Sequence, residues 1–494
     1  MKRFFIAFLF FTSLQAYAEG KDDDIKLLQK INLESDLDYY NKSSLLDSNT
    51  NEKALYLKNI IDNILLYHPD INSAQLERDI AQAYFMQTTG AFDPNFNSSA
   101  NYAHFNSSSA IGEEQDAALV TNKLDWQSPW GPKLSVGHKV LFGDAKTPFA
   151  PTGDAGEFFA ELKIPLLQNA LINTYNLKSN KAKIYTIIAD YKYFLTKLKV
   201  INAASAAYWK WIASAQILDA EKDLLKIAES QLDFVQKQSD AGNLAAINVV
   251  EADRELQRRH ARVAVALRQV QEDSLKLASY LWTINGHPMQ IPSLAQVPNL
   301  IPEPHQIQVS SLLDAKFTAL ENRFEPKILQ STRKILDLEK SFAKNQLLPM
   351  LDASLYQGLE VGSEGIGPTM QFGLNFGLPL RLRTARGLLK EAQSKIKQMN
   401  IQEKQLLQSI FLDIENAYSQ IATSYDRFVF SQKEYALAQK LEEGERLRFE
   451  LGDSTLFLLI QRERMTIESR IDMIKALGDY NYALVNFDIA QAKF

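Results

Sequence analysis

The chain has 494 residues, of which 46% are hydrophobic and 23% charged, and its formal net charge at pH 7 is −5. The length suffices for a large core or several domains, and the acidic balance argues against nucleic acid as a partner, because nucleic-acid binding needs a basic face. Cysteine is absent, which excludes disulfides, thiolate metal sites and thiol nucleophiles. The low numbers of glycine (20) and proline (16) favour long uninterrupted elements over a loop-rich sandwich.

The first residues predict an export signal. Two basic residues precede an apolar run over residues 4–14, and small residues follow at the cleavage position. This pattern is typical of a secretory signal peptide over residues 1–18, cut before Glu19. The run is shorter than the roughly 20 residues of a membrane-spanning helix, and no later segment is apolar over that length. Residues 19–52 are acidic and rich in serine and asparagine, and we expect a partly ordered N-terminal extension there.

The rest of the chain repeats itself at a spacing of 210 residues. Each half begins with a helical segment, over residues 57–89 and roughly 312–345, and continues into alternating residues bounded by prolines. Each half then ends in a very long helical tract. Chance matches between two alanine-rich helices could supply part of the agreement, but the shared order of elements favours a duplication. The matched pairs are Ala207 and Ala417, Tyr208 and Tyr418, Ser214 and Ser424, Ala228 and Ala438, Gly242 and Gly452, Arg254 and Arg464, and Ala266 and Ala476.

This repeat predicts the domain organisation. The first structural repeat covers residues 53–285, with a helix, strands over 92–166 and a helical hairpin over 176–285. A proline-rich linker follows over residues 286–310. The second repeat covers residues 311–494, with a helix, strands over 349–380 and a helical hairpin over 385–490.

The helical tracts predict coiled coils. Apolar residues recur at alternating steps of three and four, as from Leu198 and Ile201 to Tyr208 and Ile212, and again from Ile460 and Ile467 in the second half. The first tract, from about residue 176 to 241, would be on the order of 100 Å long. No compact core needs a helix of that length, whereas a structure that crosses a wide aqueous space does.

The strand tracts alternate between apolar and polar residues. Pro129-Trp130-Gly131-Pro132 indicates a tight turn between two strands, which favours four strands in the first half and two in the second. The sequence leaves open whether each chain contributes four or six strands to a barrel. Period-two runs of about 10 residues fit membrane barrel strands with one face toward lipid and one toward a polar lumen. A soluble antiparallel sheet would alternate in the same way, so alternation leaves both interpretations open.

Sequence motifs for catalysis are lacking. The six histidines are scattered, without the close spacing of a metal site on a helix. No phosphate-binding glycine loop and no nucleophile elbow occurs. Carboxylate pairs such as Glu113-Glu114 and Glu442-Glu443 are expected in loops or on exposed helix faces. We therefore predict no catalytic residue, no cofactor and no metal, and do not expect an enzyme.

Helix, strands and a long helical hairpin, occurring twice behind a signal peptide, resemble the TolC-like outer membrane efflux protein family. The residues that carry this resemblance are the hairpin turns. Residues 241–252 place Gly242 before an apolar helix restart, and residues 451–461 do the same after Gly452. The segment Asp479-Tyr480-Asn481-Tyr482-Ala483-Leu484 is similar to the closing helix of the family. The resemblance covers nearly everything after residue 52.

The resemblance implies an α+β fold in which long α-helical coiled-coil hairpins form a periplasmic α-barrel. The strands form a transmembrane β-barrel that is completed by trimerisation. The implied function is the outer-membrane channel of a tripartite efflux pump or type I secretion system, a passive duct for small molecules or polypeptides. The implied partners are two further copies of the chain, a periplasmic adaptor protein, an inner-membrane transporter of the RND or ABC type, and outer-membrane lipid. The alternative is a secreted periplasmic coiled-coil scaffold, which would have no use for two strand insertions.

The resemblance also implies which residues form the periplasmic tips. In the first turn these are Gly242, Asn243 and Leu244, and in the second they are Gly452, Asp453 and Ser454. We expect both turns to contact the adaptor.

The candidate gate lies six and nine residues past each turn glycine, where the best-known members of the family carry aspartates that ring the aperture. These positions are Asn248 and Glu251 in the first half, and Leu458 and Gln461 in the second. Only Glu251 keeps a charge, so the acidic gate of the family is not carried over. The alternative for Glu251 is a solvated helix residue paired with Arg254 or Arg258.

Overall fold

The computed structural model describes residues 54–106, 114–143, 152–153, 155–298, 304, 312–362 and 365–493. The predicted signal peptide and N-terminal extension lie outside these residues, as does most of the linker after residue 298. None of the helices in the described ranges is long and apolar enough to span a membrane. The described helices are α1 (Leu57–Tyr67), α2 (Pro69–Thr89), α3 (Thr174–Asp240), α4 (Ala246–Ala278), α5 (Leu312–Asn322), α6 (Phe324–Asn345), α7 (Arg383–Glu450) and α8 (Leu456–Ala490). The described strands are β1 (Asn95–Asn106), β2 (Glu114–Gln127), β3 (Lys133–Gly143), β4 (Glu157–Pro165), β5 (Met350–Gly362) and β6 (Gly365–Gly377).

Each half was predicted to begin with one helical segment, but both segments are interrupted. His68 is extended, with ψ 127°, because a residue before proline is driven out of the helical region by the ring of Pro69. Arg323 is also extended, with ψ 140°, and Pro326 follows in the first turn of α6, where a missing N–H costs no helical hydrogen bond. Each half therefore begins with two helices.

The first helical hairpin is also shorter than predicted, since α4 ends at Ala278 and not at residue 285. A turn at Gly286 then reverses the chain, with a bridge between Trp282 and Pro288. The side chain of Asn63 fixes this turn to α1. Its Nδ2 donates to the carbonyl of Trp282 at 3.0 Å, and its Oδ1 accepts from the backbone N–H of Trp282 at 3.2 Å.

Helices α3 and α7, of 67 and 68 residues, are the longest elements and are each about 100 Å long. Next to the sheet the helices pack in the order α2–α3–α6–α7, and toward the hairpin turns they pack in the order α4–α3–α8–α7. The outermost helix on one side is therefore α2 or α4, and on the other side it is α7. Four helices thus lie side by side both next to the sheet and near the hairpin turns.

Two apolar cores occupy equivalent places in the two halves. The first joins α1, α3 and α4 with Ile71 of α2, and the second joins α5, α7 and α8. Ser214 and Ser424, which are 210 residues apart, both are buried and both donate to the carbonyl three residues earlier, at 3.0 and 3.1 Å. The helices of the two halves therefore agree in position and in local bonding. The larger members of the cores are Ile60, Ile64, Tyr208, Trp211, Leu218 and Leu277 in the first, and Ile410, Ile414, Ile421, Tyr480 and Phe487 in the second.

The six strands form one antiparallel sheet in the order β1-β2-β3-β4-β5-β6, as four strands from the first half and two from the second. Residues that are paired across strands share a face, so the register separates two chemically different surfaces. One face is apolar and exposed, and the other is polar and carries the more buried side chains. Exposed members of the apolar face are Phe96, Tyr102, Leu124, Val136, Phe142, Phe158, Leu355, Met370, Phe372, Leu374 and Phe376. Members of the polar face are Asn97, Lys123, Asp125, Ser135, Lys139, Glu157, Glu161, Lys163, Ser354, Tyr356 and Asn375.

Candidate functional site

The two hairpin turns are built alike. Gly242 and Gly452 have φ of +78° and +79°, the left-handed conformation that only glycine adopts without steric cost. In the first turn, the N–H of Gly242 bonds to the carbonyl of Ser239 (2.9 Å), and that of Asn243 bonds to Gln238 (2.9 Å). The N–H groups of Gly452 and Asp453 make the equivalent bonds in the second turn, at 3.1 and 2.8 Å. Both helices therefore end in a Schellman motif, which satisfies their last carbonyls.

A shared apolar cluster packs the ends of the two hairpins together. It contains residues from the last turns of α3 and α7 and from the first turns of α4 and α8. Of the predicted tip residues, Leu244 reaches into this cluster. The resemblance implied that both turns form tips, and this cluster holds the two turn regions next to each other. The cluster members are Leu232, Val235, Leu244, Val249, Ala252, Phe449, Leu456 and Ile460.

The second turn is further fixed by a buried carboxylate, Glu445. The hydroxyl of Ser454 donates to Glu445, and the guanidinium groups of Arg448 and Arg462 lie 3.9 and 3.8 Å from its oxygens. Arg448 also donates to the backbone carbonyl of Asp453 at 3.3 Å. A buried charge needs such partners, since leaving it unpaired costs several kcal/mol. The predicted tip residues Asp453 and Ser454 are thus held in place by a residue that the sequence did not single out.

The candidate gate residues lie on the flanks of α4 and α8. Asn248, Glu251 and Gln461 are half-buried, and Leu458 is 44% exposed. The suggested pairing of Glu251 with Arg254 or Arg258 is wrong within the protomer. Arg258 lies 3.7 Å from Glu255, and no ion pair of Glu251 occurs among the described residues.

A second buried carboxylate, Glu463, joins three helices close to the turns. It lies on α8, accepts a hydrogen bond from Gln231 of α3 at 2.5 Å, and pairs with Arg446 of α7 at 3.2 Å. Burial raises the pKa of Glu463 to about 7, against the opposing effects of the Gln231 hydrogen bond and of Arg446. The spacing could have revealed it, because Glu463 lies three residues after Ile460 and four before Ile467, in the predicted coiled-coil seam.

The carboxylate pairs noted in the sequence are placed as follows. Glu443 is exposed, as expected, but Glu442 is half-buried and pairs with Arg446 at 2.8 Å. Glu113 lies outside the described residues, and Glu114 is the first residue of β2 and not part of a loop. The partner of Glu442 comes from the next turn of the same helix, where residues four apart face each other.

Comparison with known proteins connects this architecture to one family. Residues 60–281 match the sequence model of the outer membrane efflux protein family. A search of curated protein sequences gives no significant match.

Solved structures show the same fold over most of the chain. The CmeC outer membrane channel of Campylobacter jejuni superposes with a TM-score of 0.65 at 15% identity, covering 88% of this chain and 85% of that one. The outer membrane protein VceC of Vibrio cholerae gives 0.63 at 13% identity, covering 88% and 96%. The MtrE outer membrane channel of Neisseria gonorrhoeae, in its open state, gives 0.63 at 15% identity, covering 90% and 93%. The sequence match over residues 60–281 and the fold shared over most of the chain make this chain similar to the TolC-like outer membrane efflux proteins.

Proposed function

We propose that this chain is an outer membrane efflux protein that works as a homotrimer, as the passive duct of a tripartite efflux pump or type I secretion system. The proposal rests on one observation. A sheet with one apolar and one polar face continues directly into two helices that are each about 100 Å long. An exposed apolar face suits contact with lipid, and a polar face suits an aqueous lumen. The helices are long enough to extend the lumen through an aqueous compartment.

Trimerisation follows from what a single protomer leaves open. Strands β1 and β6 are the edges of the sheet and have no neighbour on their outer sides within the described chain. Unpaired N–H and C=O groups are very costly in lipid, so a membrane sheet must close. Because six strands alternate in direction, β6 of one copy can pair antiparallel with β1 of the next. The outermost helices α4 and α7 meet in the same way, and three copies then form a β-barrel above an α-barrel.

The two turns are suited to hold the adaptor. Apolar side chains are exposed around them, at Ile247 (68%), Val250 (62%), Leu451 (70%) and Phe457 (51%). Exposed apolar patches of this kind are typical of protein contact sites. We therefore assign the tips to the periplasmic adaptor, through which an inner-membrane transporter of the RND or ABC type would be coupled. The two halves contain corresponding helices in the same order, which supports an origin of the chain by duplication.

Extraction and crosslinking test the proposal. Protein in isolated outer membranes should resist extraction by high salt, dissolve in detergent, and give trimers with a bifunctional amine reagent. Release by salt alone would favour the periplasmic scaffold, for which the comparisons give no support. Detergent-extracted protein that crosslinks only as monomers would contradict the trimeric duct.

A further inference from the structure

The first half of the chain contributes twice as many strands as the second. In the second half, β5 and β6 alone connect α6 to α7, whereas in the first half β2 and β3 are added between β1 and β4. The added strands are full members of the sheet. β3 pairs with β4 from Lys133 opposite Lys163 to Lys139 opposite Glu157, and β2 pairs along all of β1. The additional hairpin therefore widens the sheet without interrupting it.

The width of the six-stranded sheet matches the width of the four helices that pack next to it. Strands about 4.8 Å apart and tilted by about 40° give six strands about 38 Å of barrel circumference. The four helices α2–α3–α6–α7, with axes about 8–10 Å apart, occupy about 32–40 Å. Four strands would occupy only about 25 Å. Strands and helices can therefore continue into one another at the same radius.

The polar face of the sheet carries charges of both signs in close pairs. Lys139 lies 2.8 Å from Glu157, whose other oxygen accepts a hydrogen bond from the Tyr356 hydroxyl at 2.7 Å. Asp125 lies 3.2 Å from Lys123. Because positive and negative charges lie next to each other in these pairs, this surface favours water and polar solutes over ions of one sign.

We propose that three copies of the sheet close an eighteen-stranded barrel whose bore passes hydrated peptides as wide as a helical hairpin. This rests on the trimeric duct proposed above. Such a barrel is about 35 Å across between backbones, and side chains from both walls leave about 25 Å. A helix with its side chains is about 10–12 Å wide, so two packed helices fit. A twelve-stranded barrel, about 24 Å across between backbones, would admit only one helix. A polypeptide with helical structure therefore fits through this bore.

Electron cryomicroscopy of the detergent-extracted trimer tests the strand number directly. We expect eighteen strands and a backbone diameter of about 35 Å. A trimer with a barrel of fewer strands, near 24 Å, would overturn this inference and leave the duct intact. The absence of any trimer would instead contradict the proposed function.

Chemical labelling tests the bore. The chain lacks cysteine, so single cysteines report one position each. Lys163→Cys lies on the polar face near the end of β4, and the matched control Ile164→Cys lies on the apolar face. Intact cells are treated with a maleimide dye, a maleimide on a single helical peptide, and one on a folded helical hairpin. We expect all three reagents to modify Lys163→Cys and none to modify Ile164→Cys.

A deletion of residues 107–150 removes β2 and β3 and lets β1 meet β4. In this variant we expect Lys163→Cys to react with the dye and the single helix but not with the hairpin. If the full-length protein reacts with the dye alone, the wide bore is wrong while the duct stands. If even the dye fails, the polar face does not line a duct, and the proposed function fails with it.

Discussion

The buried carboxylates Glu445 and Glu463 hold neighbouring side chains in place near the hairpin turns. Glu463 is 3% exposed and faces Gln231 on α3, Arg446 and Glu442 on α7, and Arg259 on α4. Burial also lowers the pKa of Arg259. Desolvation therefore disfavours the charged forms of both Glu463 and Arg259. An ion network of this kind contributes less to stability than to the choice of one arrangement. We therefore expect this network to set how the hairpins fit together.

The protonation of Glu463 should make stability depend on pH. Its pKa is about 7 in the folded chain, above the ordinary 4.5 of an unfolded glutamate. The folded state therefore binds the proton more tightly, and this group favours folding below pH 4.5 and loses that contribution as the pH rises through 7. At pH 8 the buried charge costs on the order of 3 kcal/mol. We expect Glu463→Gln to raise the melting temperature in detergent at pH 8 and to leave it nearly unchanged at pH 4.5.

The control for this measurement is Glu468→Gln, since Glu468 pairs with Arg464 on the surface of the same helix. An exposed pair of this kind is worth about 0–1 kcal/mol, and we expect its loss to change the melting temperature little at either pH. Equal effects of the two variants at pH 8 would show that burial of Glu463 does not govern the pH dependence.

At the scale of elements, local signals in the sequence were enough where one residue type decides the conformation. Gly242 and Gly452 marked both turns because a left-handed residue is needed there. Alternation and one turn rich in proline and glycine favoured six strands but left four open, and the sheet has six. The breaks at His68 and Arg323 had local signals in Pro69 and Pro326, and the spacing around Glu463 was that of the seam. Which side chains meet Glu463 from the other helices depends on packing between distant segments, which periodicity does not show. The roles of the tip and gate residues depend on other chains and stay predictions.

The turn glycines should be needed for coupling and not for folding. Open space surrounds the position of a Cβ at Gly242 and Gly452, so a substitution meets no clash and acts through the backbone alone. A left-handed conformation costs a residue with a side chain about 1–2 kcal/mol. We expect Gly242→Val with Gly452→Val to reshape both tips and reduce efflux in cells, while extracted trimers remain. Gly444→Ala is the matched control, because Gly444 has open space and lies inside α7, where alanine favours the helix. Unchanged efflux in the double variant would refute the tip assignment.

At the scale of the whole molecule, the outer side of α7 should form the seam between protomers. Phe430, Leu437 and Leu441 are 67%, 61% and 53% exposed and follow one another by seven and four residues. This is the spacing of a coiled-coil seam. We expect Leu437→Asp with Leu441→Asp to shift extracted protein from trimer to monomer on a sizing column, because charges would be buried at the interface. Gln432→Asp, about 140° around the same helix, should leave the trimer intact. A double variant that stays trimeric would place the seam elsewhere.

The proposed gate is the last prediction at the scale of the whole molecule, because it would require the three copies of the proposed trimer. If the helices after the turns converge, three Glu251 side chains approach one another near the axis, and like charges repel there. Within its own protomer, Glu251 has no cationic partner among the described residues to offset this, since Arg258 faces Glu255. Opening would then be an iris-like movement of the helix pairs that the adaptor favours. In planar bilayers we expect Glu251→Ala to lower the preference for cations, whereas Leu458→Ala should raise the leak with little effect on ion preference. Asp253→Ala, an exposed acid two residues from Glu251, is the control and should change neither property. Conductance and selectivity identical to wild type in Glu251→Ala would remove Glu251 from the constriction.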